Sequence, residues 1–192
     1  MNVEATEQEE KLARAGMYAM FSGVLLREFD SATLQTIGSE DWAETLNEFN
    51  VSVPPVSEET LEDLAIDYCR IFIGPKEFCP PCQSVWESGQ FQGYVIESMN
   101  EFLDIVDPQS EVPIRDHAGI QFEMMAIVLR YESEHPNESL GLSESFFRNH
   151  IAWADRMLNR AAELAETDFY KSVLRMGAEF VAQEKSLYPV GG

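Results

Sequence analysis

Residues Ser57-Glu58-Glu59-Thr60-Leu61-Glu62-Asp63-Leu64-Ala65-Ile66-Asp67-Tyr68-Cys69-Arg70-Ile71-Phe72-Ile73-Gly74-Pro75 form a helix whose two ends are both legible. Ser57 brings a side-chain oxygen to the free N–H groups of the first turn. Leu61, Leu64, Ala65, Tyr68, Ile71 and Phe72 recur at three- and four-residue spacing, which lays them along one stripe. Gly74-Pro75 then closes the segment, because proline cannot continue the hydrogen-bond ladder.

The same period extends in both directions. From Glu7 to Leu26, the residues Leu12, Ala15, Ala19, Met20, Phe21, Val24 and Leu25 predict a long amphipathic helix. Shorter helices are expected over Ala32–Ile37 and Glu40–Phe49, capped by Ser31 and Ser39, before Val51-Ser52-Val53-Pro54-Pro55 breaks the pattern. On the other side, Pro75–Gly89 carries three prolines and reads as an ordered loop. Helices are predicted near Gln92–Val106 and over Asp116–Glu134, with Asp107–Pro113 between them and Pro136 as a stop. Ser143–Glu166 and Asp168–Leu187 complete the chain. No alternating stretch of strand length occurs, so the expected fold is all-α: a single-domain helical bundle of residues 1–192 with roughly 8–10 helices. Hinge loops are expected near residues 75–89 and 107–115.

Charge narrows the function. Thirteen lysines and arginines face 34 aspartates and glutamates, a net charge of −21. Such a surface repels a phosphate backbone, so nucleic acid is not an expected partner. It attracts cationic peptides, each close pair contributing roughly 1 kcal/mol in water and up to about 4 kcal/mol where shielded. Residues 1–67, with 3 basic and 15 acidic side chains, are the more acidic part, and residues 136–192 hold 6 and 8. The acidic N-terminal decapeptide lacks the basic and apolar regions of a secretory signal, and no apolar run reaches membrane-span length. With only three cysteines, the expected location is the reducing cytoplasm, with no membrane insertion.

Cys79-Pro80-Pro81-Cys82 has the spacing of a thiol–disulfide pair, and this makes a thiol-disulfide oxidoreductase the alternative function. The usual setting is a strand leading into a helix, and no strand precedes Cys79. A structural zinc site needs four ligands, yet there is no second C-x-x-C and no H-x-x-x-H. Nucleotide-binding glycine loops, the G-x-S-x-G elbow and H-E-x-x-H are absent too. No enzyme activity, metal or cofactor is therefore expected. Asp116-His117 opens a long helix, and two readings stand: a helix cap with a hydrogen-bonded imidazole, or paired acceptors that grip an incoming arginine. His150 and Trp153, one turn apart, read as packing residues.

Several blocks in order resemble one family. Asp67-Tyr68-Cys69-Arg70-Ile71-Phe72-Ile73-Gly74-Pro75, then Pro80-Pro81 with Ser84-Val85-Trp86, then Glu111-Val112-Pro113-Ile114-Arg115-Asp116-His117, and finally His150-Ile151-Ala152-Trp153, are similar to the signature blocks of the TorD/DmsD/NarJ family. The resemblance implies an all-helical maturation chaperone in the cytoplasm. Such a protein binds the twin-arginine leader and/or the body of an apo molybdoenzyme, aids cofactor insertion and prevents premature export. It implies that Tyr68, Phe72, Ser84, Val85, Trp86, Glu111, Pro113, Asp116 and His117 form the client-binding site, with Tyr68, Phe72, Val85 and Trp86 as an apolar wall and Glu111, Asp116 and His117 at its polar end. By their helical spacing alone, Tyr68, Phe72 and Trp86 are equally readable as core. The working state is expected to be a monomer or a domain-swapped dimer hinged in the proline-rich loop. Cysteines on both sides of Pro80-Pro81 depart from the family pattern and leave a redox-sensing role open.

Overall fold

Hydrophobic periodicity is realised as helices throughout the computed structural model, which describes residues 3–75, 77–91, 93–106, 108, 114–137 and 141–188. Among them are ten α-helices, two π-helical turns and no strand. The helices are α1 (Val3–Leu26), α2 (Ser31–Ile37), α3 (Glu40–Glu48), α4 (Glu58–Tyr68), α5 (Gln83–Ser88), α6 (Tyr94–Leu103), α7 (Ala118–Glu134), α8 (Leu142–Phe146), α9 (Ala154–Leu164) and α10 (Asp168–Leu187). One π turn, Cys69–Ile73, continues α4, and the other, Phe147–Ile151, continues α8. No helix among the described residues is long and apolar enough to cross a membrane. The all-α reading holds. The described chain forms two compact units, each made of segments distant in sequence.

The first unit comprises residues 1–26, 82–153 and 187–192. Its spine is the pair α1 and α7. Ser133 donates to the Gln8 carbonyl at 3.2 Å near one end of the pair. At the other end Gly119 meets Leu26, so the two helices run antiparallel. Phe122 fills the interface, edge-on to Tyr18 at 5.5 Å and to Phe21 at 6.4 Å. Gly119 permits the approach: a Cβ there would lie 2.5 Å from Leu26 Cγ. Tyr188 closes the unit, its ring tilted against Phe147 at 4.8 Å and 5.1 Å from the Arg14 guanidinium.

The second unit comprises residues 27–81 and 154–186. Leu64, Ile71, Leu158, Val173 and Leu174 are sealed in its core, with Phe29 edge-on to both Phe169 and Tyr170. Asp67 reaches from α4 to the head of α10 and accepts from the Glu166 and Thr167 N–H groups and the Thr167 hydroxyl. Arg70 forms an ion pair with Glu166 beside it.

Several local expectations change. Ser57 caps α4 as expected, accepting from Thr60 N at 3.1 Å. The cap of α2 is Asp30 rather than Ser31, its carboxylate accepting from Thr33 N at 2.7 Å. Ser39 precedes α3 without making a side-chain cap bond. The stretch expected as loop over 75–89 contains α5. The helix expected over Ser143–Glu166 is divided by the π turn and by Ala152-Trp153, whereas α10 occupies the expected Asp168–Leu187.

Candidate functional site

Helix α5 follows directly on the proline pair, and two turns of chain are too short to be stable alone. Its stability comes from contacts outside it. The Asp116 carboxylate accepts from Ser84 N at 2.8 Å, and the Asp116 carbonyl accepts from Gln83 N at 3.0 Å. Cys82 and His117 form an isolated antiparallel bridge alongside. Both Asp116 and Ser84 are only 1% exposed. His117, not Asp116, caps α7, its Nδ1 accepting from Gly119 N at 3.1 Å. Burial holds the His117 imidazole down to about 4, against the upward pull of the Asp116 charge. It is neutral at physiological pH, as an accepting Nδ1 requires.

Gln83 joins α5 to the rest of the unit. Its Oε1 accepts from Gln121 Nε2 at 2.6 Å and from His150 Nδ1 at 3.0 Å. Its Nε2 donates to the Asn149 carbonyl at 2.6 Å and to Glu87 Oε1 at 3.0 Å. His150 Nε2 then accepts from the Ser98 hydroxyl at 3.0 Å, so the ring is neutral with its proton on Nδ1. Burial again sets the titration, pulling His150 down to about 4 despite the Asp116 charge. Trp153 Nε1 donates to Gln121 Oε1 at 3.0 Å and to the His150 carbonyl at 2.9 Å. Each polar group of this buried set has a partner, which makes it a rigid clasp. Helical spacing does not single out Gln83 or Gln121; their only signal is a polar residue on a stripe that is otherwise apolar.

The clasp fixes what α5 presents. Val85 and Trp86 are half-buried, and Trp86 leans on Trp153 with ring centres 6.4 Å apart. Glu87 stands on the exposed side, where its Oε2 accepts from the Tyr94 hydroxyl at 2.7 Å. Phe91 and Tyr94 are more than half exposed, so aromatic surface and a carboxylate meet at the α5–α6 turn. Of the residues singled out in the sequence, the first unit thus brings together Ser84, Val85, Trp86, Asp116 and His117. Tyr68 and Phe72 belong to the second unit, where they are buried and pack on one another at 5.2 Å. Glu111 and Pro113 lie outside the described residues.

The cysteine chemistry is quiet. All three cysteines are free thiols, and Cys79 and Cys82 are 1% and 2% exposed. Burial pushes each of these two thiols up to about 12. The thiolate that disulfide exchange requires is therefore strongly disfavoured at neutral pH. Cys79 Sγ is turned to the Met157 carbonyl at 3.4 Å. No group of three or more His, Cys, Asp or Glu side chains among the described residues is placed to hold a metal ion.

Comparison with known proteins agrees with the ordered blocks. The sequence matches the nitrate reductase delta subunit family over residues 38–159, a span that contains all four blocks. Two relatives are similar over nearly the full length. The chaperone protein TorD of Shewanella sp. (strain ANA-3) is 28% identical over 199 residues, covering 90% of this chain and 92% of that protein. The chaperone protein TorD of Shewanella sp. (strain MR-4) is 25% identical over 197 residues, with the same coverage.

Proposed function

The chain belongs to the nitrate reductase delta subunit family, and from that premise we propose that it binds the twin-arginine leader of an apo molybdoenzyme in the cytoplasm. Its family makes it a redox-enzyme maturation chaperone rather than an enzyme. In our reading it holds the client until the cofactor is inserted and so prevents premature export. The observation that carries the leader reading is the clasped helix α5, which offers Val85 and Trp86, beside Glu87, on a rigid base. A leader combines arginines with an apolar stretch, and this pairing of half-exposed aromatic surface with carboxylate is complementary to it. Ser84, Asp116 and His117 serve by holding that helix in place. The net charge of −21 steers the cationic segment toward the protein.

Calorimetric titration with a synthetic leader tests this, beside a control leader in which both arginines are lysine. The arginine form binds more tightly, and Trp86→Ala weakens it by roughly tenfold, the effect of losing an aromatic anchor. A folded protein that binds neither form at low salt rules the leader out as the ligand.

A further inference from the structure

We infer that the second unit carries a pocket for an arginine side chain, between α4 and the head of α10 and separate from α5. A cavity of about 340 Å³ opens there, with Ser52, Thr60, Asp63, Leu64, Asp168 and Phe169 in its wall. Leu64 and Phe169 are buried and give it an apolar floor on which an alkyl stem can lie. Ser52, Asp63 and Asp168, all three exposed, supply polar groups to its lining.

Charge selects the ligand. The head of a helix carries roughly half a positive charge and by itself favours an anion. Here it is already engaged, since the buried Asp67 accepts from Glu166 N, Thr167 N and the Thr167 hydroxyl. Asp63 has no ion-pair partner among the described residues, and the cation nearest Asp168 is Lys171 at a loose 3.8 Å. Glu59 and Glu62 are exposed on the same helix as Asp63, so the mouth is negative. The volume is near the lower end of ligand pockets, which span roughly 300–1,000 Å³, and suits one side chain. A guanidinium, with five donors in a planar fork, offers more to carboxylate and hydroxyl acceptors than a single ammonium does. The source of the arginine, a client leader, rests on the function proposed above; the pocket chemistry does not.

The test follows backbone amide shifts of the full chain on addition of N-acetyl-arginine amide and, separately, of the twin-arginine leader. It uses the unsubstituted protein, Asp63→Asn/Asp168→Asn, and Ser52→Phe, which fills the cavity from an exposed position. Shifts centred on Thr60, Asp63 and Thr167 to Phe169 are expected. The leader should bind each variant roughly two- to tenfold more weakly, the range for two exposed carboxylate contacts. Shifts at the pocket with N-acetyl-arginine amide but no binding of the leader would sustain the pocket and overturn the leader reading. Leader binding with shifts confined to α5 and its surroundings, unchanged in both variants, would overturn the pocket and leave the leader reading standing. Absence of shifts at the pocket with either ligand overturns it as well.

Discussion

The Asp67 carboxylate lies 2.8 Å from the Thr167 main-chain nitrogen, one hundred residues further along the chain. It does for α10 what an adjacent cap residue does for an ordinary helix. The contact also ties α4 to α10 within the second unit. Substitution by alanine leaves the Glu166 and Thr167 N–H groups and the Thr167 hydroxyl without their acceptor. Asp67→Ala should therefore cost about 2–4 kcal/mol, a lost cap plus unsatisfied donors. Asp67→Asn, which keeps an accepting oxygen, should cost less. Urea unfolding of the two variants checks the order; equal losses would mean that only the charge matters.

A second expectation concerns acid. His117 and His150 are both held down to about 4, chiefly by burial. The unfolded chain therefore binds protons at these two positions near pH 6.5 that the folded chain refuses until about pH 4. Their contribution is complete above pH 6.5 and declines as pH falls toward 4, by an amount on the order of 3 kcal/mol for each ring. Urea midpoints measured between pH 7 and pH 4 should fall, and more gently in His150→Gln than in the parent. A parent curve that stays level through this window would show that the rings titrate normally.

Gly119 supplies a third. Its replacement by alanine brings a Cβ to 2.5 Å from Leu26 Cγ and 3.2 Å from His117 Nδ1. The clash should outweigh the better helix propensity of alanine and leave a net loss of about 1–2 kcal/mol. Shortening the neighbour removes the obstacle, so Gly119→Ala should be less costly in a Leu26→Ala background. A double-mutant cycle by chemical denaturation reads the coupling; strict additivity would place the cost elsewhere.

The thiols differ in reach. Cys69 is exposed, although partial desolvation and a hydrogen bond to Glu28 Oε1 at 3.4 Å raise the titration of its thiol. Cys79 and Cys82 are buried. A thiol reagent at pH 8 should modify one cysteine slowly in the folded protein and all three in urea. Prompt modification of two or three in the native state would revive the redox reading of Cys79 and Cys82.

The sequence by itself determined the helical class, the positions of α1, α7 and α10 and, through the ordered blocks, the family. These are properties of spacing. Apolar residues at three- and four-residue intervals specify a helix wherever they occur, and for that reason α10 falls at Asp168–Leu187 as expected. Tertiary structure alone decided the rest. Helix α5 was hidden in a proline-rich stretch because it is six residues long and depends on Asp116, some thirty residues away. Asp67 reads as one more polar position on α4 until α10 is brought against it. Tyr68 and Trp86 look alike as aromatics within the ordered blocks, yet the first is buried in its unit and the second is only half-buried. Which face of a helix meets solvent, and which distant donor a carboxylate satisfies, depends on partners far along the chain, and local spacing carries no record of them.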